Sequence, residues 1–209
     1  MIRRTTREEM FKLLEKNPEW KVVDLASSNA GWKYADVFTD VKDHSEYYNK
    51  KYDGKKEFIQ CNVESNPFMD KEFDFVIASH VIEHVEDFEF FIKELERISS
   101  KGYIELPTRF GDNLVFENKN DHIWWFEYND VTNVLKASKR NQIIEPFITV
   151  ATGKMLEEIF RDSLILELYW EEKINYKIDE NIRYNNYKKL SFIKIIKKYF
   201  SKRIRMIIK

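Results

Sequence analysis

With a single cysteine, Cys61, the 209-residue chain cannot close an internal disulfide, which fits a reducing compartment. Proline and glycine are also scarce, four and five residues, too few for a linker-like or collagen-like chain. There is no internal repeat, and no apolar run is long enough to span a bilayer. Met1 is followed by Arg3 and Arg4 in place of an apolar signal core, so a cytoplasmic location is expected. No nucleic-acid recognition motif is present and no nucleic-acid partner is expected. What is there, 43% apolar and 15% aromatic residues, is enough to bury the core of one α/β domain.

The net charge of -1 conceals an asymmetry. Residues 187–209 hold nine Lys or Arg and no acid, leaving 26 basic against 36 acidic groups in the remainder. The expected organisation is a domain over 1–186 and a basic amphipathic extension over 187–209.

Taken in order, Thr6-Arg7-Glu8-Glu9 has capping-box spacing ahead of an apolar stripe, which predicts an opening helix. Strands are predicted at Trp20 to Leu25, Ala35 to Val41, Glu57 to Cys61 and Phe73 to Ala78, with a short helix over His44 to Tyr52. Asp87 is placed to cap a helix whose apolar positions Phe88, Phe91, Ile92, Leu95 and Ile98 recur at three and four residues, with Lys101-Gly102 closing it. A fifth strand follows at Tyr103 to Leu106. His122 to Tyr128 and Thr132 to Ala137 predict a hairpin about Asn129-Asp130. Gly153 to Arg161 reads as a helix and Ser163 to Trp170 as a late strand. This rhythm predicts a mostly parallel sheet with helices on both faces.

Residues 62–98, N-V-E-S-N-P-F-M-D-K-E-F-D-F-V-I-A-S-H-V-I-E-H-V-E-D-F-E-F-F-I-K-E-L-E-R-I, resemble the central portion of class I S-adenosylmethionine-dependent methyltransferases of the small-molecule branch. The resemblance extends over about residues 20–107 and implies a Rossmann-like α/β fold with S-adenosyl-L-methionine as cofactor. It implies that the loop after the first strand (Asp24, Ala26, Ser27, Gly31) wraps the amino-acid end of the cofactor. Asp40 would then take the ribose hydroxyls, Asn62 and Val63 the adenine, and Ser79 with His80 would line the cofactor wall. One departure stands out: the glycine-rich loop of the family reads D-L-A-S-S-N-A-G here, keeping only Gly31, so that Ala26 and Ser27 carry a Cβ where glycine permits positive φ.

Methyl transfer to a hydroxyl needs an in-line acceptor and a proton acceptor, a task suited to histidine. His84 is the expected base, His122 the second candidate, with Glu83 beside them. His80, Glu83, His84 and His122 are also similar to the E-x-x-E-H plus His set that binds a divalent metal in small-RNA 2'-O-methyltransferases. The first ligand is His in place of Glu, however, and the H-V-x-E-H-V pattern is common in methyltransferases without metal, so no metal is expected. Arg109, Trp124 and Trp125 follow the fifth strand, where the acceptor pocket is usually built, and aromatic faces suit sugar or quinone-like rings.

The expected activity is O-methylation of a small molecule or sugar in bacterial surface-glycan biosynthesis. A lipidic or quinone-like acceptor is one alternative, and an inactive methyltransferase-fold partner protein another. The basic tail predicts peripheral contact with an anionic membrane surface.

Overall fold

The computed structural model describes residues 1–27, 31–43, 56–179 and 191–207. The helix predicted over His44 to Tyr52 lies outside them. A seven-stranded sheet is built from β1 (Ile2–Arg4), β2 (Val22–Leu25), β3 (Val37–Asp40), β4 (Glu57–Gln60), β5 (Phe75–Ser79), β6 (Lys101–Pro107) and β9 (Ile165–Glu171), in the order β1-β9-β6-β5-β2-β3-β4. Strands β4, β3, β2, β5 and β6 are parallel; β9 runs antiparallel to both β6 and β1.

Alternation along the strands decides the two faces. Val22, Phe75, Ile77 and Tyr103 cluster with Met10 and Leu14 of α1 (Arg7–Lys16), whose N-terminus carries the predicted capping box of Thr6 and Glu9. On the other face Val23, Leu25, Val76, Ala78, Ile104 and Leu106 pack against α2 (Phe88–Ile98), where all five predicted apolar positions are buried and Asp87 accepts the Phe90 amide. Each such side chain contributes about 1.5–3 kcal/mol of burial.

The chain after β6 forms α3 (Arg109–Leu114) and α4 (Asn118–Asp121). It then enters the predicted hairpin, β7 (Trp124–Asn129) and β8 (Val134–Lys139), to which β10 (Tyr176–Ile178) adds a parallel third strand. Next come α5 (Val150–Leu164), which leads into β9, and after it α6 (Phe192–Ile207). Lys101-Gly102 does not close α2: both residues already belong to β6, and Ser99 caps the helix. A Cβ on Gly102 would lie 2.4 Å from the Val76 carbonyl oxygen, so glycine serves sheet contact here and not a helix end.

Chain order and spatial order part company between β2 and β5. From β2 the chain builds outward through β3 and β4, then returns to place β5 on the other side of β2. Ligands of open α/β sheets bind at the carboxyl ends of the strands flanking such a switch point. Here those ends deliver Ala26 and His80.

Candidate active site

Two cavities meet at this edge. A trench of about 600 Å³ is lined by Ala26, Asp40, Asn62, Val63, His80 and His84, among others. A second cavity of about 370 Å³ lies beyond the same two histidines and is walled by Glu83, Glu117, Asp121, His122, Lys154 and Glu157, with apolar Leu114, Ile148 and Ile165 behind them.

Ala26, which opens the loop after β2, keeps the conformation that glycine would favour. Ala26 sits at φ 49°, a left-handed value that costs a non-glycine residue about 1–2 kcal/mol. Ala26→Gly is therefore expected to raise the unfolding free energy by about 0.5–1 kcal/mol, read as a higher denaturant midpoint. A lower midpoint would show that the loop gains from the methyl. Gly31 is retained for space: a Cβ there would fall 2.2 Å from the Phe38 ring. Residues 28–30 lie outside the described set.

Asp24 lies beneath that loop and lines neither cavity. The residue is 1% exposed, Oδ2 accepts the Trp32 amide at 2.7 Å and Oδ1 has no partner among the described residues. Burial pushes its pKa up to about 7, against the opposing pull of the Trp32 amide. Unfolded, the group ionises near pH 4, so between about pH 4 and pH 7 the folded state holds a proton that the unfolded chain has released, and stability falls as pH rises. Asp24→Asn is expected to flatten that slope, measured by denaturation at pH 4.5 to 7.5; an unchanged slope would exclude Asp24 as its source.

Other assigned residues fall variously. Asp40 lies on the trench wall at the end of β3, with Oδ1 accepting the Lys42 amide. Asn62 caps a 3-10 turn, its Oδ1 accepting the Glu64 amide, and Val63 is buried below it. Ser27 donates its hydroxyl to the Asp24 carbonyl. Ser79 ends β5 half-buried and lines neither cavity.

His80, at φ 56°, stands between two buried carboxylates, Nδ1 3.2 Å from Glu83 and Nε2 3.2 Å from Glu105. Burial opposes its charge, but the two carboxylates outweigh it and hold the pKa up at about 10. His80 is thus an imidazolium wall between the cavities. Glu83, fully buried, is held below the usual carboxylate range because His80 outweighs desolvation.

Glu83 also anchors the hairpin: its carbonyl accepts the amides of Ile123 and Trp124, which brings His122 beside it. His84 Nδ1 lies 3.0 Å from the Asp121 carbonyl and His122 Nδ1 2.5 Å from Asp112 Oδ1. Both partners are acceptors, so each Nδ1 donates to its partner, and in the neutral form of the ring the lone pair is left on Nε2. The rings meet edge to face at 4.5 Å. Such a pair can accept a proton or ligate a metal.

The acceptor-pocket assignment of Trp124 and Trp125 is corrected. Both are buried; Trp124 donates to the Val85 carbonyl and Trp125 to Asp112 Oδ2, so neither offers a face to a ligand in the shared pocket. Arg109 pairs with Glu127 at 2.7 Å and lines a different cavity, of about 650 Å³, between α3 and the hairpin. Missed in the sequence was Asp112, which is 1% exposed and binds His122, Trp125 and Arg140 together.

Residues 24–104 match the family model for a methyltransferase domain. The match covers less than half of the chain, and the matched segment is similar to a methyltransferase domain. The trench fits S-adenosylmethionine, the cofactor that the resemblance of residues 62–98 implies: Asp40 presents a carboxylate suited to a diol, and the Ala26 backbone takes the glycine-like path that close approach requires.

Among solved structures, the chain is similar to a SAM-dependent methyltransferase, possible histamine N-methyltransferase, from Thermotoga maritima, at 13% identity and TM-score 0.43, covering 79% of this chain and 95% of that one. It is similar to a SAM-dependent methyltransferase from Methanosarcina mazei at 15% identity and TM-score 0.41, covering 75% and 93%. The YcgJ protein of Bacillus subtilis aligns at 15% identity and TM-score 0.38 over 49% of this chain and 52% of that one, so the chain spans about half of its length. No curated protein matches the chain.

Proposed function

We propose that the protein transfers the methyl group of S-adenosylmethionine to a hydroxyl of a small polar acceptor, a sugar of the kind built into surface glycans. The observation that carries this reading is the shared wall of the two cavities, His80 and His84, which would put a sulfonium in the trench within reach of an acceptor beyond it. In the reaction the C–S bond breaks as an O–C bond forms, sulfur keeps the electron pair and leaves as S-adenosylhomocysteine, and the hydroxyl proton is lost. His84 Nε2, which no hydrogen bond engages among the described residues, is the base in this reading. Glu117, Asp121 and Glu157 in the second cavity favour a polyhydroxyl acceptor over a quinone-like one, since carboxylates accept hydroxyl protons and are desolvated at a cost by an apolar ring. Titration calorimetry with S-adenosylhomocysteine tests the core of the proposal: saturable binding is expected, and none at about 1 mM ligand would leave a methyltransferase fold acting as a non-enzymatic partner.

For α6 we propose an anionic membrane surface as partner. The structure ties its first turn to the domain, Phe192 donating to Glu145 and stacking on Phe147. Away from that contact Ile193, Phe200 and Ile204 are more than half exposed among lysines and arginines, a face suited to an interfacial helix. No helix among the described residues is long and apolar enough to cross a membrane. Flotation with anionic liposomes is expected to carry the full chain but not a version ending at residue 186. Equal partitioning would remove the tail from the proposal.

A further inference from the structure

We propose that Glu83, His84 and His122 form a binding site for a divalent transition-metal ion, placed where the cofactor trench opens into the acceptor cavity. One ligand-capable atom of each residue lies within 4.8 Å of the others. Three features separate this group from a chance cluster.

Glu83 is fully buried, and while its Oε1 faces His80, its Oε2 has no hydrogen-bond partner among the described residues. An unsatisfied buried carboxylate oxygen is costly and calls for a cationic partner. His80 does not serve Oε2, because its two ring nitrogens already face Glu83 Oε1 and Glu105.

The hydrogen bonds of the imidazoles also favour the tautomer that ligation needs. Each has its Nδ1 proton fixed by an acceptor, His84 by the Asp121 carbonyl and His122 by the Asp112 carboxylate, an outer-shell arrangement typical of metal-bound histidine. Asp112 is itself held by Trp125 and Arg140, so the His122 ring cannot turn freely.

Finally, the residue set is one carboxylate and two imidazoles facing a cavity, the mixed N/O ligation that suits Zn²⁺, Mn²⁺, Fe²⁺ or Co²⁺ and leaves coordination positions for substrate. A cation held here would partner the buried Glu83 oxygen and both imidazoles at once. With the ion in place the two histidines hold it instead of taking a proton. An acceptor hydroxyl would be ionised by coordination, its proton passing to solvent. The site's role rests on the methyl-transfer reading, but its occupancy does not.

The test is titration calorimetry of the chelator-treated full chain with Zn²⁺ or Mn²⁺ alone, together with the visible spectrum of a Co²⁺ derivative. Binding of about one ion per chain is expected, with affinity reduced about 10- to 100-fold in Glu83→Gln and in His122→Ala. Both variants are to be checked for S-adenosylhomocysteine binding, since its retention shows that the fold survives. No stoichiometric binding of any of these ions to the unaltered chain, or undiminished binding by variants that retain S-adenosylhomocysteine, would overturn the proposal. Metal binding without S-adenosylhomocysteine binding would uphold the site and sink the methyltransferase reading instead.

Discussion

Glu105→Ala is expected to lower the unfolding free energy by about 3–5 kcal/mol, the cost of leaving buried charge without its partner. Glu105 is 1% exposed and accepts from Arg7 Nη2 at 2.6 Å, Arg161 Nη2 at 2.7 Å and the Tyr103 hydroxyl at 2.6 Å, with His80 Nε2 at 3.2 Å. Its removal leaves two guanidiniums and an imidazolium converging on a hole. Arg7 and Arg161 are 39% and 30% exposed, so each could turn partly to water, which holds the loss within that range. Although burial works against the charge, His80 and Arg7 keep the Glu105 carboxyl well below the usual range. A depressed carboxylate contributes stability that is complete above the unfolded value, near pH 4.5, and is lost as pH falls. Guanidinium denaturation of the variant and the parent at pH 7 and pH 4 is the measurement. A difference under about 1 kcal/mol at pH 7 would mean that the network behaves as exposed pairs do.

Asp40→Ala should weaken S-adenosylhomocysteine binding about 100-fold, the effect of removing a carboxylate that accepts two ribose hydroxyls. Asp40 is the acid at the carboxyl end of β3 on the trench wall, and apart from the Lys42 amide no hydrogen bond engages its carboxylate among the described residues. Calorimetry on both proteins checks it, with Asp40→Asn as the conservative partner, expected to fall between them. Unchanged affinity in Asp40→Ala would remove the ribose assignment while leaving the domain assignment untouched.

The parallel sheet, the α2 face and the hairpin could be read from the sequence because each rests on local periodicity. Phe88, Phe91, Ile92, Leu95 and Ile98 mark one helix face whatever they pack against. The two tryptophans misled for the converse reason: an aromatic pair has the same appearance in sequence whether its indoles bond Val85 and Asp112 or stand open to a ligand. The Glu105 network and the Asp112 hub were harder to see, since their partners come from elements up to 98 residues apart in the chain. A signal existed all the same. Glu105 and Glu167 each stand between apolar neighbours inside a strand, Ile104 with Leu106 and Leu166 with Leu168, and a carboxylate in such a run needs a cationic partner from elsewhere. Likewise β1 and β10 are three residues each, too short for alternation to reveal.

Because His80 and His84 belong to both cavities, these two side chains form a wall that the cavities share. A single synthetic molecule carrying an adenosine head joined by a short tether to a polyol would need no detour around the protein to fill both. Once one half is seated, the other meets its cavity at an effective concentration on the order of millimolar or more. Such a tethered ligand could bind far more tightly than either half alone, and the tether length giving the best inhibition would report the methyl-transfer distance.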